Sequence, residues 1–489
     1  MPNSIIEAIY ERSLEQPLKP CLIEAKSGRR VTYGEYWRMI KGLSDHLSTG
    51  LSLRPGDRVM ISGAQTISFL AASHAVGLAG GIFVPVEGHL KADKLSHLRQ
   101  KVQAELIIGD EPATPFPSIL TERAWDFLDT DASKTRPVFP EPTDEAEILF
   151  TTGTTGESKG VVMSFGASVA VAENVLYGLA MRPDNIELLP APLNHSFGLR
   201  RYYGNILNGG TTVLMDRFVF VSRFFKAMED YQVTALALVP SMAAMIFQLS
   251  GDELGRFRGQ LDYVQVGTAA FADSDKERLR RLLPESRLYN FYGSSEAGCS
   301  CIVDYSRLDK PGCIGRPTRN ASIIFVDDNG NQVDASPERP ALIATGGTML
   351  MNSYYDDPQA TASVLKKGYI RSNDLAYADA AGDIILIGRR DEVINVGGNN
   401  ISPLEIEEAA IQMAGIADCA CVAIDDPLAG QAPKLFVVMA PGHNFAPAEL
   451  AVFLSARLDA YKVPKDYEPV KSIPRTYNGK KQRNLLTVS

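Results

Sequence analysis

The stretch from Ile148 to Val162 reads ILFTTGTTGESKGVV, and it indicates both the fold and the chemistry of this chain. An apolar run typical of a buried strand leads into a loop of glycines and hydroxyl residues, and a second apolar run follows Lys159. Glycines let backbone N–H groups turn toward an anion, hydroxyls add donors, and a lysine adds positive charge. The spacing is not that of a Walker A loop. The stretch predicts a phosphate-binding loop of another kind or, alternatively, a flexible polar hairpin.

On both sides of this loop, short β-branched runs alternate with longer helical stretches. Arg58–Ser62 predicts a strand, Thr66–Leu78 a helix and Gly81–Val86 the next strand. Further strands of the same rhythm are predicted at Thr211–Met215, Ala235–Val239, Tyr263–Val266 and Ile323–Val326. This alternation is typical of an α/β fold with stacked, largely parallel sheets flanked by helices.

A domain boundary is predicted at the charged turn Gly388–Glu392, which follows a strand at Ile384–Ile387. A chain of 489 residues is too long for one compact core, so two or three domains are expected. The roughly 100 residues after the boundary suffice for a small α+β domain. We therefore expect a large domain over residues 1–388, a hinge at 389–391 and a small domain over 392–489.

The composition is that of an ordinary globular protein, with 45% hydrophobic and 22% charged residues. The net charge of −9 disfavours a nucleic-acid partner, because phosphate backbones require a basic surface. The six cysteines lack the C-x-x-C spacing of zinc sites, so we expect reduced thiols in a cytoplasmic protein. We expect no signal peptide, and no membrane span either, because glycines and polar residues interrupt the longest apolar run.

Two further segments carry groups that a nucleotide site needs. Tyr289–Glu296 reads YNFYGSSE: a ring can stack on adenine, a hydroxyl can bond phosphate, and a carboxylate can hold Mg²⁺. Gly267–Ala270 reads GTAA and follows a predicted strand, where small residues leave room for a ligand. By itself, the first segment is also compatible with a turn bearing a solvated glutamate. The second is also compatible with a close-packed strand-to-helix turn.

Four other segments complete the set of candidate motifs. Arg371–Leu375 reads RSNDL, Gly388–Asp391 reads GRRD, and Ile473–Arg483 reads IPRTYNGKKQR. Alone, they are compatible with ordinary turns and a solvated basic tail. In Pro192–Gly198, which reads PLNHSFG, His195 either faces a ligand or is a hydrogen-bonded interior histidine.

In this order, the segments resemble the motifs of the ANL superfamily of adenylate-forming enzymes. That superfamily comprises AMP-forming acyl-CoA synthetases, adenylation domains of nonribosomal peptide synthetases and luciferases, and the resemblance covers nearly the whole chain. The first segment is similar to Thr-Ser-Gly-Thr-Thr-Gly-x-Pro-Lys-Gly, with Thr152 and Ser158 as small replacements. Asn373 replaces the usual glycine of Thr-Gly-Asp-Leu, where we expect a left-handed turn that asparagine tolerates. The glycine-rich segment 394–407 is most similar to that of acyl- and aryl-CoA ligases.

The resemblance implies a role for each motif residue. It implies that Glu296 binds Mg²⁺ and that His195 borders the acyl site. It also implies that Lys480, rather than Lys481, stabilises the adenylation transition state. The residues that it assigns to ATP are Thr151, Thr152, Gly153, Thr154, Thr155, Lys159, Gly267, Thr268, Ala269, Tyr292, Gly293, Ser295, Asp374 and Arg389.

The resemblance also implies a two-step reaction and a mobile small domain. A carboxylate attacks the α-phosphate of Mg·ATP, giving acyl-AMP and pyrophosphate, and coenzyme A then forms the thioester. Catalysis needs positioning and charge stabilisation rather than a side-chain nucleophile. Between the steps, the small domain would pivot at Asp391, replacing the face that carries Lys480 by the face on which Gly397 and Gly398 line the thiol channel.

Two alternative functions stay open at this point. One is a stand-alone enzyme that loads the acyl group onto the phosphopantetheine of a carrier protein, since no carrier domain is expected in a chain that stops at Ser489. The other is a catalytically silent nucleotide-binding protein, which the set of charged motif residues disfavours. ATP–pyrophosphate exchange separates it from the enzymes.

The sequence says little about the acid itself. The absence of aspartate between His195 and Leu214 argues against an α-amino acid, whose amine the family pairs with an aspartate near this place. Arg200 and Arg201 follow shortly after the histidine. We expect them on the surface, with pairing to a second carboxylate of the substrate as the alternative.

Overall fold

The computed structural model describes most of the chain. The described residues are 2–88, 90, 92–110, 118–130, 136–151, 158–216, 218, 220–269, 271–307, 310–397, 399–475 and 481–486.

Helices and strands alternate along the chain. The helices are α1 Ile5–Glu15, α2 Tyr33–Asp45, α3 Ile67–Leu78, α4 Ala92–Val102, α5 Phe165–Gly178, α6 Ser196–Asn208, α7 Val221–Asp230, α8 Pro240–Ser250, α9 Asp273–Leu282, α10 Pro358–Val364, α11 Pro403–Ile411 and α12 Pro447–Ser455. The strands are β1 Pro20–Glu24, β2 Arg30–Thr32, β3 Arg58–Gly63, β4 Ile82–Glu87, β5 Leu106–Gly109, β6 Ser118–Leu120, β7 Glu145–Phe150, β8 Gly160–Ser164, β9 Ile186–Leu189, β10 Thr211–Leu214, β11 Ala235–Leu238, β12 Tyr263–Val266, β13 Arg287–Ser294, β14 Gly298–Asp304, β15 Cys313–Pro317, β16 Ala321–Val326, β17 Ala341–Gly347, β18 Ser353–Tyr354, β19 Leu365–Lys366, β20 Tyr369–Ala378, β21 Ile384–Arg389, β22 Ile394–Val396, β23 Asn399–Ile401, β24 Ile416–Asp426, β25 Gly430–Met439 and β26 Asp466–Pro469.

Within the described ranges, the strands form three sheets. The largest has the order β16-β17-β20-β21-β15-β14-β13-β12-β11-β9-β10-β1-β2, with β19 paired to β20. The second has the order β18-β8-β7-β4-β3-β5-β6. The third, formed after residue 393, has the order β23-β22-β25-β24, with β26 beside β25.

Parallel pairing is concentrated in one run of each of the two large sheets. In the largest sheet it joins β1, β10, β9, β11, β12 and β13, and in the second it joins β7, β4, β3, β5 and β6. The predicted α/β fold is confirmed. One detail is wrong: the strand predicted at Ile323–Val326 as part of the parallel rhythm lies in β16, which pairs antiparallel with β17.

The main core lies between the two large sheets, where α1, α2, α3 and α6 bury their apolar faces. Helix α3 begins after Thr66, whose hydroxyl accepts a hydrogen bond from Phe69 N–H at 3.2 Å and caps the helix. Nearly every residue of α3 is buried, which explains why its apolar run is long and carries no charge. A second core, formed by α7, α8 and α9, covers the other face of the parallel run in the largest sheet.

Residues after 393 have a core of their own. Helices α11 and α12 pack on β22, β24 and β25, with Ile406, Leu435 and Leu454 fully buried. Pro403 is the first residue of α11, as predicted, and Ser402 is its N-cap residue, although the Ser402 side chain makes no capping hydrogen bond. These elements agree with an α+β unit. The exact division at residues 388 and 391 stays a prediction.

The two arginines expected on the surface are buried, which corrects that expectation. Arg200 is 4% exposed and pairs with Glu147, and Arg201 is fully buried and pairs with Glu187. Glu187 also accepts hydrogen bonds from Tyr263 Oη at 2.6 Å and from Asn205 Nδ2 at 3.0 Å. Glu147 lies on β7, far from α6 in sequence, and Glu187 lies on β9, 14 residues before Arg201. The helix or strand periodicity around the arginines gives no sign of either pairing.

The burial of the Arg201–Glu187 pair leads to a stability prediction. Replacing Arg201 by methionine leaves the Glu187 carboxylate buried without its cation, so we expect Arg201→Met to lower the free energy of unfolding by about 3–5 kcal/mol. The matched control is Arg256→Met, because Arg256 pairs with Glu229 and Glu253 while remaining 59% exposed. That change should cost less than about 1 kcal/mol. Denaturant titrations of both variants measure the difference, and equal midpoints would contradict the prediction.

Candidate active site

A cleft of about 920 Å³ opens at the carboxyl ends of the parallel strands of both large sheets. Residues that follow β3, β4 and β7 line one side, and residues that follow β9, β10, β11 and β12 line the other. Open α/β sheets bind ligands at this end of their strands. The lining includes the predicted site residues Thr151, Lys159, His195, Thr268, Gly293, Ser295, Glu296 and Arg389.

The two ends of the predicted phosphate loop close on each other. Thr151 N–H donates to the carbonyl of Lys159 at 2.9 Å, and the hydroxyl of Ser158 donates to the carbonyl of Thr151. These bonds bring the end of β7 beside the start of β8, so both ends of the loop are fixed at the cleft. Thr152, Gly153, Thr154 and Thr155 lie outside the described residues.

Glu296 lies in the tight turn between β13 and β14. The turn requires glycine at position 293, because a Cβ there would lie 2.0 Å from the carbonyl oxygen of Gly298. The hydroxyl of Tyr354 donates to Glu296 Oε1 at 2.8 Å, and the Tyr354 ring centroid lies 4.9 Å from the ammonium of Lys159. The carboxylate and the lysine therefore face the same part of the cleft.

The arrangement around Glu296 fits Mg²⁺ bound together with ATP. No cluster of three or more His, Cys, Asp or Glu side chains suited to a metal is found in the described part of the chain. Mg²⁺ shared with a nucleotide needs no such cluster, because one or two carboxylates, substrate phosphates and waters complete its shell. A single oriented carboxylate beside the ends of the phosphate loop meets this need.

The GTAA segment forms the turn after β12. Thr268 has φ +80°, and its buried hydroxyl has no hydrogen-bond partner in the described structure. Position 267 needs glycine, because a Cβ there would approach the Phe291 ring to 2.7 Å and the Phe197 ring to 3.2 Å. These two rings stack at 5.4 Å and form an aromatic wall of the cleft. Ala269 and Gly267 are not among the lining residues.

Tyr292, Asp374 and Arg389 meet beside the cleft. The hydroxyl of Tyr292 donates to Asp374 Oδ2 at 2.5 Å, and Asp374 lies opposite Arg389 in the pairing of β20 with β21. Of these three residues, Arg389 lines the cleft. The acidic and basic groups predicted to contact ATP are thus neighbours, although 15 residues separate them in sequence.

The expected left-handed turn at Asn373 is wrong. Asn373 lies within the extended strand β20 and is not among the residues with positive φ. Its side chain donates to Asp391 Oδ1 at 2.8 Å, and Arg389 Nε donates to the same oxygen at 3.2 Å. The replacement of glycine by asparagine therefore adds a contact to the predicted hinge residue.

His195 is the N-cap residue of α6 and lines the cleft. Burial lowers the pKa of its imidazole below the ordinary value of 6.5, and the nearby Glu87 carboxylate opposes this shift only in part. The ring is therefore neutral at pH 7 and offers hydrogen bonding rather than positive charge to a bound acid.

One branch of the cleft is apolar. Its side chains include Phe69, Leu193, Phe218, Val239, Met242 and Met245, the last two on α8. The cleft lining also includes Arg200 and Arg201, but each is neutralised by its glutamate. Neither arginine therefore offers a bound acid an unpaired positive charge.

The small C-terminal unit contributes fewer described residues. Gly397 has φ +58° in the turn between β22 and β23, and its N–H donates to the Ala429 carbonyl at 2.9 Å. Lys481 bonds Glu407 and the Cys419 carbonyl, both at 2.6 Å, so it is committed to the fold. The choice of its neighbour as the catalytic lysine stays a prediction. Lys480 and Gly398 lie outside the described residues.

Sequence reasoning missed Tyr354. It lies 58 residues after Glu296, on a strand of two residues, and no motif marks it. A period-2 or period-3.6 pattern cannot reveal so short an element.

The comparisons with known proteins agree with this geometry. The family model "AMP-binding enzyme" matches residues 9–355, and "AMP-binding enzyme C-terminal domain" matches residues 405–480. The chain belongs to the AMP-binding enzyme family. A feruloyl-CoA synthase from Amycolatopsis sp is 30% identical over 93% of this chain and 92% of that protein. 4-Coumarate–CoA ligase 3 of Arabidopsis thaliana is 28% identical, covering 96% and 88% respectively.

Solved structures match over the same length. ATP-bound MatB from Rhodopseudomonas palustris superposes with a TM-score of 0.87 at 20% identity, covering 99% of this chain and 98% of that one. The predicted family and enzyme class are confirmed: the chain is an AMP-forming acid–thiol ligase. It activates a carboxylic acid with ATP and passes the acyl group to coenzyme A, as predicted. None of the described helices is long and apolar enough to cross a membrane.

The buried position of His195 generates a titration prediction. We expect the His195 imidazole to titrate with a pKa below 6.5, because burial penalises the charged form. NMR spectra recorded between pH 4.5 and 8 measure this value, and the His195→Gln variant identifies the signal by its loss. A midpoint above 6.5 would contradict the prediction.

Proposed function

We propose that this ligase activates a monocarboxylic acid with an apolar, ring-bearing body, using the site residues in the roles described next. Lys159 and the ends of the phosphate loop bind the phosphates, Glu296 holds Mg²⁺, and Asp374 with Tyr292 binds the ribose and adenine. Lys480 stabilises the charge that develops at the α-phosphate. The observation that carries the proposal is the meeting of Lys159, Glu296, His195 and Arg389 at one cleft that also has an apolar branch.

The shape and chemistry of the apolar branch support a ring-bearing acid. The Phe197 and Phe291 rings stack 24° from parallel and offer aromatic surface to a bound ring. The methionine side chains of the lining adapt to bulky apolar groups. The similar feruloyl-CoA synthase and 4-coumarate–CoA ligase are named for acids that carry an aromatic ring.

Charge disfavours a second carboxylate on the substrate. The cleft lining includes the cations Arg200 and Arg201, and each already faces one buried glutamate. A carboxylate placed there would lack a counter-charge in a region of low dielectric, which is costly. His195 is neutral at pH 7 and does not supply one. A monocarboxylic acid therefore fits better than a dicarboxylic acid.

Movement of the small C-terminal unit takes the enzyme from adenylation to thioester formation. We place the hinge at Asp391, between a large domain at 1–388 and a small one at 392–489. Support comes from the position of Asp391, after the last strand of the largest sheet and before β22. The turn at Gly397–Gly398 then lines the thiol channel in the second step. A carrier-protein phosphopantetheine presents the same arm as coenzyme A and is the alternative acceptor.

A cytoplasmic location is part of the proposal. The six cysteines are free thiols, five of them buried, which suits a reducing compartment.

The proposal predicts acid-dependent ATP–pyrophosphate exchange. We expect exchange with substituted cinnamic or benzoic acids, and at least tenfold lower kcat/KM with dicarboxylic or α-amino acids of similar size. In Lys480→Ala, exchange should fall by at least about 100-fold, because a preorganised charge at the transition state contributes roughly 3–4 kcal/mol. Radiolabelled pyrophosphate exchange measures both effects.

The matched control is Lys471→Ala, which removes an exposed lysine of the same C-terminal segment and should leave exchange unchanged. Addition of coenzyme A or of a phosphopantetheinylated carrier protein to the active enzyme then identifies the acceptor. Fast exchange with dicarboxylic acids would contradict the proposed acid class, and undiminished exchange in Lys480→Ala would contradict the assigned lysine.

A further inference from the structure

One segment joins the exit of the phosphate loop to the turn that carries Glu296. Within residues 351–355, Met351 N–H donates to the backbone carbonyl of Glu296 at 2.8 Å. Tyr355 N–H donates to the carbonyl of Gly160, the residue after Lys159, at 2.7 Å. Strand β18 of this segment pairs with β8, with Tyr354 opposite Val161. The segment therefore fixes the two charged ends of the site relative to each other.

The side chain at the centre of this segment contacts both charged groups. The hydroxyl of Tyr354 donates to Glu296 Oε1 at 2.8 Å, and its ring centroid lies 4.9 Å from Lys159 Nζ. The residue is 7% exposed and lines the cleft, and its own N–H is held by Thr361 Oγ1 at 2.9 Å. A hydroxyl fixed in this way can hold the Glu296 carboxylate in one orientation, with Glu296 Oε2 left to bind a cation.

The roles in this contact follow from the chemistry of the two groups. A carboxylate oxygen accepts, so the phenol is the hydrogen-bond donor to Glu296. The face of the ring attracts the Lys159 ammonium.

We propose that Tyr354 is a positioning residue that orients the Glu296 carboxylate toward the divalent cation of the nucleotide complex and holds Lys159 beside it. The proposal rests on the cation-binding role proposed for Glu296. Hydrogen bonds that orient a metal ligand commonly affect metal affinity by about 10–100-fold. Tyr354 thus acts through Glu296 and Lys159 and does not itself touch the reacting atoms.

The test is cation binding in the Tyr354→Phe variant, which keeps the ring and removes the hydroxyl. Electron paramagnetic resonance of Mn²⁺ with a non-cleavable α,β-methylene analogue of ATP measures the dissociation constant of the cation directly. We expect a rise of about tenfold or more. In pyrophosphate exchange, the Mg²⁺ concentration for half-maximal rate should rise in parallel, while KM for the acid changes less than about twofold.

The matched control is Tyr355→Phe, because the Tyr355 hydroxyl donates to the Val102 carbonyl at 3.1 Å, away from both charged groups. This variant should bind Mn²⁺ as the wild type does. A fall in exchange rate in Tyr354→Phe with unchanged Mn²⁺ affinity would overturn the proposal and reveal a purely structural tyrosine.

The Glu296→Gln variant separates this inference from the proposed function. Weaker Mn²⁺ binding in Glu296→Gln together with wild-type binding in Tyr354→Phe overturns only the role of Tyr354. Unchanged Mn²⁺ binding in Glu296→Gln overturns the cation role of Glu296 and the inference with it. Parallel weakening in Glu296→Gln and Tyr354→Phe, but not in Tyr355→Phe, is the expected result.

Discussion

The architecture depends on the carboxyl ends of two parallel strand runs meeting at one cleft. The strands of each run lead into loops at this edge. Polar groups and glycines can therefore lie there without disturbing the hydrogen bonds of the sheets. One run delivers the two ends of the phosphate loop, and the other delivers the turn around Thr268 and the aromatic wall. The antiparallel strands that follow bring Glu296, Asp374 and Arg389 to the same place.

Charge is distributed in two ways within this frame. Around the phosphate loop, Lys159 has no carboxylate within ion-pair distance in the described structure, so its charge is available to an anion. Elsewhere in the lining, each of Arg200 and Arg201 is neutralised by a buried glutamate. This distribution of charge supports the proposal that one cleft takes both a polyanionic nucleotide and a largely apolar acid.

Much of the fold was predictable from local patterns. The strand Tyr263–Val266 and the start of α11 at Pro403 were placed correctly, because alternating helix and strand patterns and proline are local signals. The antiparallel pairing of β16, the extended backbone of Asn373 and the burial of the arginines depend on tertiary contacts that helix and strand periodicity does not show. The same holds for Tyr354, whose role emerges only when β18 joins β8.

A crystal structure with the acyl-sulfamoyl adenosine analogue of a cinnamic acid is the most direct test of the proposed cleft. We expect the ribose hydroxyls to bond to Asp374, the sulfamoyl group to lie near Lys159, and the aromatic ring to pack against Phe197 in the apolar branch. An adenosine bound in that branch, or an acyl group pointing away from it, would show that this assignment of the cleft is wrong.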